Sequence, residues 1–261
     1  MSICGIDRPM KSLTDLANEF GTDKGTLVGN RHHYSLTYEK FFAGMRGRDL
    51  RLLEIGLSIG GPEQGYPASR QVVRVPSVEM WLAYFPKARI TGLDISDCSQ
   101  FQVDRFDFIQ ADCGNQEALR AAATGREFDI IIDDGSHASF HQQLTMLELF
   151  PSLARGGYYI VEDLDWQPEA YEQELPPVAK MADLLTWLKT APTKDAFGLF
   201  NESAWRKVAA EVESVILLRK SDLEGPLQAP HVRSGWPWRR RAKSTPANIQ
   251  DPIKLAIVQK K

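Results

Sequence analysis

Phe128-Asp129-Ile130-Ile131-Ile132-Asp133-Asp134-Gly135-Ser136-His137 is an apolar run that stops in two adjacent acids, with a histidine just beyond. The pattern returns in Gly156-Gly157-Tyr158-Tyr159-Ile160-Val161-Glu162-Asp163. A parallel strand buried on both faces reads as such a run. In an open α/β sheet, ligands sit outside the carboxyl ends of the strands. Asp133, Asp134, Glu162, Asp163 and His137 are therefore expected at one edge of one sheet. That is the composition of a divalent-cation site with a base beside it.

The flanking sequence supplies the rest of such a sheet. Residues 51–56, 88–94, 106–112, 129–132 and 158–161 read as five strands separated by helix-length segments, which predicts a parallel, doubly wound sheet. Residues 212–218 and 253–258 read as a sixth and a final strand. Ahead of the sheet, Ser12-Leu13-Thr14-Asp15 resembles a capping box with Asp in the place of Glu or Gln. Leu13, Leu16, Ala17 and Phe20 then follow helical spacing up to Gly21, and a second helix is predicted over 34–42. Residues 57–76 are a long Gly- and Pro-rich loop. Ser77 is placed as the cap of a helix that Pro86 ends. Further helices are expected over 116–123, after His137 and over 176–190. The chain thus divides into an N-terminal helical cap, 1–48, and one α/β domain, 49–261. That domain has an irregular insertion at 221–248 with a basic run, Trp236-Pro237-Trp238-Arg239-Arg240-Arg241, whose plain reading is a solvated loop.

Composition narrows the function. Of 261 residues, 43% are hydrophobic and 25% charged, the balance of a soluble globular protein. A net charge of −3 gives no reason to expect nucleic acid. No apolar run approaches the ~18 residues of a membrane span. Met1 to Asp7 lacks a basic-then-apolar pattern, so no secretory signal is expected. Cys4, Cys98 and Cys113 are odd in number and have no paired spacing, as for thiols in a reducing compartment. A cytoplasmic protein is expected. A homo-oligomer is left open.

Glu54 and Gly56 close the first strand and Asp94 the second. An acid there is placed to accept hydrogen bonds from a ribose diol. Gly56 and Gly60-Gly61 allow a ligand close to the backbone. Both features point to an adenosine-containing cofactor. The G-x-x-x-G-G spacing is not that of a pyrophosphate binder, and Asp94 comes about 38 residues after Gly56 instead of ~20, which disfavours NAD. S-adenosylmethionine has no pyrophosphate, and Asp112 after the third strand could reach its adenine edge. For each of these acids a helix N-cap is the plain alternative. Asp134, Glu162 and Asp163 are harder to explain that way, because clustered carboxylates repel unless something positive compensates, and their oxygens suit Mg²⁺. His137 is the candidate base. His137 and His141 do not form a zinc-protease motif, since Ala138 stands where H-E-x-x-H needs Glu.

Leu53-Glu54-Ile55-Gly56, Met80-Trp81 through Tyr84-Phe85-Pro86, Gly92-Leu93-Asp94-Ile95, Ile131 to His137 and Val161-Glu162-Asp163-Leu164 together resemble the metal-dependent sugar O-methyltransferases of antibiotic biosynthesis, of the macrolide-glycoside and rhamnosyl type. The Gly21-Thr22-Asp23-Lys24-Gly25-Thr26 loop with Tyr34 and Tyr38 is similar to that family's lead-in. The resemblance covers roughly 12–166. It implies a class I, Rossmann-like methyltransferase fold with S-adenosylmethionine and Mg²⁺, acting on a hydroxyl of a sugar, such as a deoxysugar of a glycosylated natural product. On this basis Asp134, Glu162 and Asp163 would hold the metal, and His137 would be the base. Glu54, Gly56, Ser77, Asp94, Asp112 and Asp133 would line the cofactor pocket. The partner would be a small-molecule glycoside, with neither nucleic acid nor membrane. Two departures stand out: the loop after Gly56 is long and carries Pro62, Pro67 and Pro76, and Ala111-Asp112-Cys113-Gly114 replaces a Gly-Asp-Gln type of run. The alternatives are a Mg²⁺-dependent enzyme methylating a catechol or other phenol, which also offers vicinal oxygens, and a non-catalytic cofactor-binding scaffold.

Overall fold

Seven strands of the described residues form one sheet: β1 (Arg51–Ile55), β2 (Arg89–Asp94), β3 (Phe106–Gln110), β4 (Phe128–Asp133), β5 (Leu153–Val161), β6 (Val212–Arg219) and β7 (Ile253–Lys260). Their order is β3-β2-β1-β4-β5-β7-β6. β1 to β5 are parallel, and β7 runs antiparallel between β5 and β6. This computed structural model describes residues 10–190, 200–224 and 251–261. The basic run at 236–241 and nearly all of the 221–248 insertion lie outside the described residues, as does Cys4.

The helices are α1 (Leu13–Phe20), α2 (Tyr34–Phe42), α3 (Pro76–Tyr84), α4 (Gln116–Ala123), α5 (Ser139–Leu149), α6 (Glu169–Glu172), α7 (Met181–Lys189), α8 (Glu202–Glu211) and α9 (Lys220–Glu224). Alternation along the strands divides the core in two. Leu52, Ile90, Ile130, Ile132 and Ile160 face α1, α2 and α3, where Tyr38, Phe42 and Trp81 pack together. Leu53, Ile55, Ile131, Tyr159 and Val161 face the opposite layer, with Leu144 and Leu147 of α5, Leu184 and Leu185 of α7 and Trp205 of α8. The first two helices therefore share one hydrophobic core with the sheet.

Several local features follow their sequence signals. The α1 capping box is present: the Ser12 hydroxyl accepts from Asp15 N–H, and the Asp15 carboxylate accepts from Ser12 N–H. Gly21 ends the helix in the left-handed region, φ 78°. Other features depart. α3 starts two residues early, with Val75 as N-cap and Pro76 in the first turn. Ser77 is thus not the cap, and its hydroxyl donates to Glu54 at 2.8 Å. α7 begins only at Met181, since Pro176 and Pro177 lack the N–H groups a helix interior needs. β5 begins upstream at Leu153, which pairs with Phe128 ahead of a register shift against β4. α8 has no forerunner in the pattern, because only Trp205 and Val208 of its ten residues are buried.

Candidate functional site

The strand order reverses between β1 and β4, so the carboxyl ends of these strands splay apart into a crevice. A cavity of about 740 Å³ opens there. Gly56, Ser77, Asp94, Asp112, Asp134, His137 and Asp163 line it, as do Lys24 and Trp166. Glu54, Asp133 and Glu162 do not reach its wall. Each is buried beneath it, at 0%, 2% and 1% exposure.

The two acid pairs divide in the same way. In the first, Asp133 ends β4 on the α5 face, where its carboxylate accepts from the Thr145 hydroxyl and from Tyr159 OH at 3.2 Å. Burial pushes Asp133 up to about 6. Asp134 continues past the strand end and reaches the cavity. In the second pair Glu162 turns toward α2 and accepts from Tyr38 OH at 2.5 Å and from Lys24 Nζ at 2.8 Å. Asp163 turns outward with φ 51°, and His137 has φ 57°. A positive φ is uncommon for residues with a side chain and often marks a functional constraint. Tyr34 holds Asp163 from both sides: its hydroxyl donates to Oδ1 at 2.5 Å and accepts from Asp163 N–H at 3.1 Å.

Lys24, from the loop between α1 and α2, is 1% exposed. Its ammonium lies 2.5 Å from Asp134, 2.8 Å from Glu162 and 3.6 Å from Glu54. Burial alone would favour the neutral amine, but Asp134, Glu162 and Glu54 outweigh it and raise Lys24 well above the ordinary lysine range. Burial likewise raises Glu162, with Asp134 adding to it, and raises Glu54. Asp134 is pushed up to about 6 by burial, against the pull of Lys24 and His137. For Asp163, burial pushes upward but His137, His32, the Tyr34 hydroxyl and Lys254 prevail, so it is held below the usual carboxylate range.

The residues present fit a divalent cation. One ligand atom each from Asp134, His137 and Asp163 lie within 4.8 Å of one another. His137 Nδ1 is buried with no hydrogen-bond partner among the described residues, and Nε2 is 4.0 Å from Asp163 Oδ2. Two carboxylates and an adjoining crevice suit a hard cation that keeps open positions. On the cofactor side, Asp94 accepts from Leu57 N–H at 2.7 Å and Ser96 N–H at 2.6 Å, which fixes its carboxylate at the wall. Asp112 accepts from Gly114 N–H at 2.7 Å. Gly56 lines the cavity, but the structure also gives it a second constraint. A Cβ there would fall 1.9 Å from the Asp134 carbonyl oxygen, at φ 81°, so only glycine fits between β1 and β4.

Sequence reasoning left four contributors without a role. Lys24 is separated from Asp134 by 110 positions, and no spacing rule links them. Tyr34 and Tyr38 had a signal in their i, i+4 spacing, but that spacing marks a buried helix face before it marks a hydrogen bond to an acid. Trp166 is a lone aromatic in a loop.

Comparison with known proteins follows this geometry. Mycinamicin VI 2''-O-methyltransferase of Micromonospora griseorubida is 36% identical over 165 residues, 62% of this chain and 37% of that protein. The 8-demethyl-8-α-L-rhamnosyl tetracenomycin-C 2'-O-methyltransferase of Streptomyces olivaceus is 38% identical over 159 residues, 60% of this chain and 39% of that protein. The chain therefore spans under two fifths of the curated relatives it matches. No family model matches it. Among solved structures, the MycE methyltransferase of the mycinamycin biosynthetic pathway, in complex with Mg, SAH and mycinamycin VI, superposes with a TM-score of 0.62. It is 25% identical, over 97% of this chain and 55% of that one. Among the described residues no helix is long and apolar enough to cross a membrane. The architecture is the class I S-adenosylmethionine-dependent methyltransferase fold, and the proteins this chain resembles are sugar O-methyltransferases of antibiotic biosynthesis.

Proposed function

We propose that this chain is a cytoplasmic, Mg²⁺-dependent O-methyltransferase that moves a methyl group from S-adenosylmethionine to a sugar hydroxyl of a small-molecule glycoside. The observation that carries the reading is the convergence of Asp134, His137 and Asp163 on one side of the crevice between β1 and β4. The relatives support it, being named as O-methyltransferases of mycinamicin VI and of a rhamnosyl tetracenomycin. So does the solved neighbour that holds Mg and SAH.

Asp134 and Asp163 would hold Mg²⁺, with the Glu162 carboxylate directly beneath. Asp94 would accept from the cofactor ribose, and Asp112 would lie at the adenine edge. Bound, S-adenosylmethionine would supply an electrophilic methyl, its S–CH3 bond breaking to leave the thioether, and Mg²⁺ would supply Lewis acidity. A sugar hydroxyl is a poor nucleophile because it holds its proton far above neutral pH. His137 Nε2, the ring nitrogen turned toward the acids, takes that proton as the oxygen attacks. Asp163, 4.0 Å away, stabilises the imidazolium that results. The residues lining the crevice would orient the acceptor toward the cofactor, and orientation of this kind supplies much of the rate.

Isothermal titration with S-adenosylmethionine and then Mg²⁺, on the wild type and Asp134→Asn, tests the reading. Cofactor binding in both proteins with Mg²⁺ binding in the wild type alone is the expected result. Absence of cofactor binding to the wild type would refute the methyltransferase. Equal Mg²⁺ binding by Asp134→Asn would refute the metal site.

A further inference from the structure

Trp166 is a large aromatic that the chain leaves 42% exposed. It follows Asp163 by three residues, and its N–H donates to the Asp163 carbonyl at 3.0 Å, closing a turn directly after that acid. Its ring meets His137 at 5.3 Å between centroids, with planes at 77°, an edge-on contact, and Trp166 also lines the cavity. The same wall carries polar groups: Asp165, Lys220 3.8 Å from it, and Lys254, which pairs with Glu224 at 2.6 Å.

A cavity wall with a half-exposed indole beside a rim of hydrogen-bonding groups matches a ligand with the same division. A pyranose is such a ligand, with axial and ring C–H groups making one apolar face and hydroxyls around its edge. Indole offers a broad apolar surface with a polar N–H, at a low cost in side-chain entropy. We infer that Trp166 is the platform on which the acceptor sugar ring stacks, holding its hydroxyl within reach of His137. The inference rests on the proposed glycoside methylation and goes beyond it by assigning the acceptor subsite. The contact between Trp166 and His137 gives the placement its consequence: a ring lying on the indole has its edge beside the imidazole, where the proton must leave. Trp166 binds and orients, and takes no part in proton transfer.

The test is steady-state methyl transfer with S-adenosylmethionine and Mg²⁺. The acceptors are methyl α-L-rhamnopyranoside, methyl β-D-glucopyranoside and catechol, and the proteins are wild type, Trp166→Ala and Trp166→Phe. A stacking platform predicts that Trp166→Ala raises KM for the glycoside used about tenfold, the scale of an aromatic stacking contact, with kcat and cofactor affinity little changed. Trp166→Phe should recover most of that loss. Unchanged KM in Trp166→Ala would overturn the inference and leave the proposed function standing. A fall in kcat with a displaced pH profile at constant KM would also overturn it, since Trp166 would then only brace His137. Wild-type turnover of catechol alone would overturn both the sugar platform and the glycoside reading. No turnover of any acceptor would defeat the proposed function, and the platform with it.

Discussion

Asp133-Asp134 and Glu162-Asp163 are two neighbouring acid pairs at the ends of adjacent strands, and in each pair the first residue points inward and the second into the cavity. The inward acids differ in what compensates them. Asp133 is held by two hydroxyls, from Thr145 and Tyr159, and by Gly135 N–H at 3.4 Å, with no ion pair among the described residues. Glu162 is held by a buried ammonium and a phenol. The difference follows from sheet alternation: Asp133 shares the face of Ile131, under α5, and Glu162 shares that of Ile160, under α2. Adjacent carboxylates in sequence thus have different tasks. The outward pair is available for a ligand, and the inward pair ties helices to the strand ends.

The comparison can be broken from the outward side first. His137→Asn tolerates the left-handed backbone and leaves the inward layer untouched. Methyl transfer should fall by about 10²–10⁴-fold with an unchanged urea midpoint. If turnover survives, the outward group has no base and the proton leaves by another route. From the inward side, Lys24→Met removes the positive charge shared by Asp134, Glu162 and Glu54 and leaves three carboxylates uncompensated. Breaking a buried ion pair by deleting one partner costs about 3–5 kcal/mol, and urea unfolding should show a loss of that order. Lys24→Met with Glu162→Gln should recover part of it. A loss as small as that of an exposed pair, at most about 1 kcal/mol, would mean that water enters the cluster and that the two layers are not distinct.

Much of this site could be read from the sequence. Apolar runs ending in acids locate the strand ends, and Gly56, Asp94 and Asp112 fall where a doubly wound sheet places them. The repulsion among clustered acids also requires a positive charge. The sequence reading assigned that charge to a metal alone, whereas Lys24 already supplies part of it. Lys24 escaped notice because a single lysine in a polar loop carries no periodicity. The direction of each acid was hidden for a related reason. Period two says that neighbours face opposite ways, but beyond the last strand residue the backbone leaves the pleat. Positive φ at Asp163 turns it out by a route that no strand pattern encodes. Gly56 shows the limit of motif logic: the strand crossing at the Asp134 carbonyl alone is enough to demand a glycine.

Asp133 offers the finest test, because hydrogen bonds alone compensate it, with no ion pair among the described residues. Its folded carboxyl titrates at about 6, against an ordinary value of 3.8, with burial the main cause. The folded state therefore binds this proton more tightly than the unfolded chain does. That preference contributes stability fully below the unfolded value and loses it as pH rises through the folded one. The gap of about two pKa steps corresponds to at most about 3 kcal/mol. Asp133→Asn cannot titrate, so the stability of the wild type relative to this variant should rise by about that amount as pH falls from 7 to 4. Urea unfolding of both proteins at intervals across this range reads the difference, and groups common to both cancel. A difference that does not change with pH would show that Thr145 and Tyr159 solvate the carboxylate as well as water does. A difference of opposite slope would show that a cation reaches Asp133 after all, and the two inward acids would then be alike.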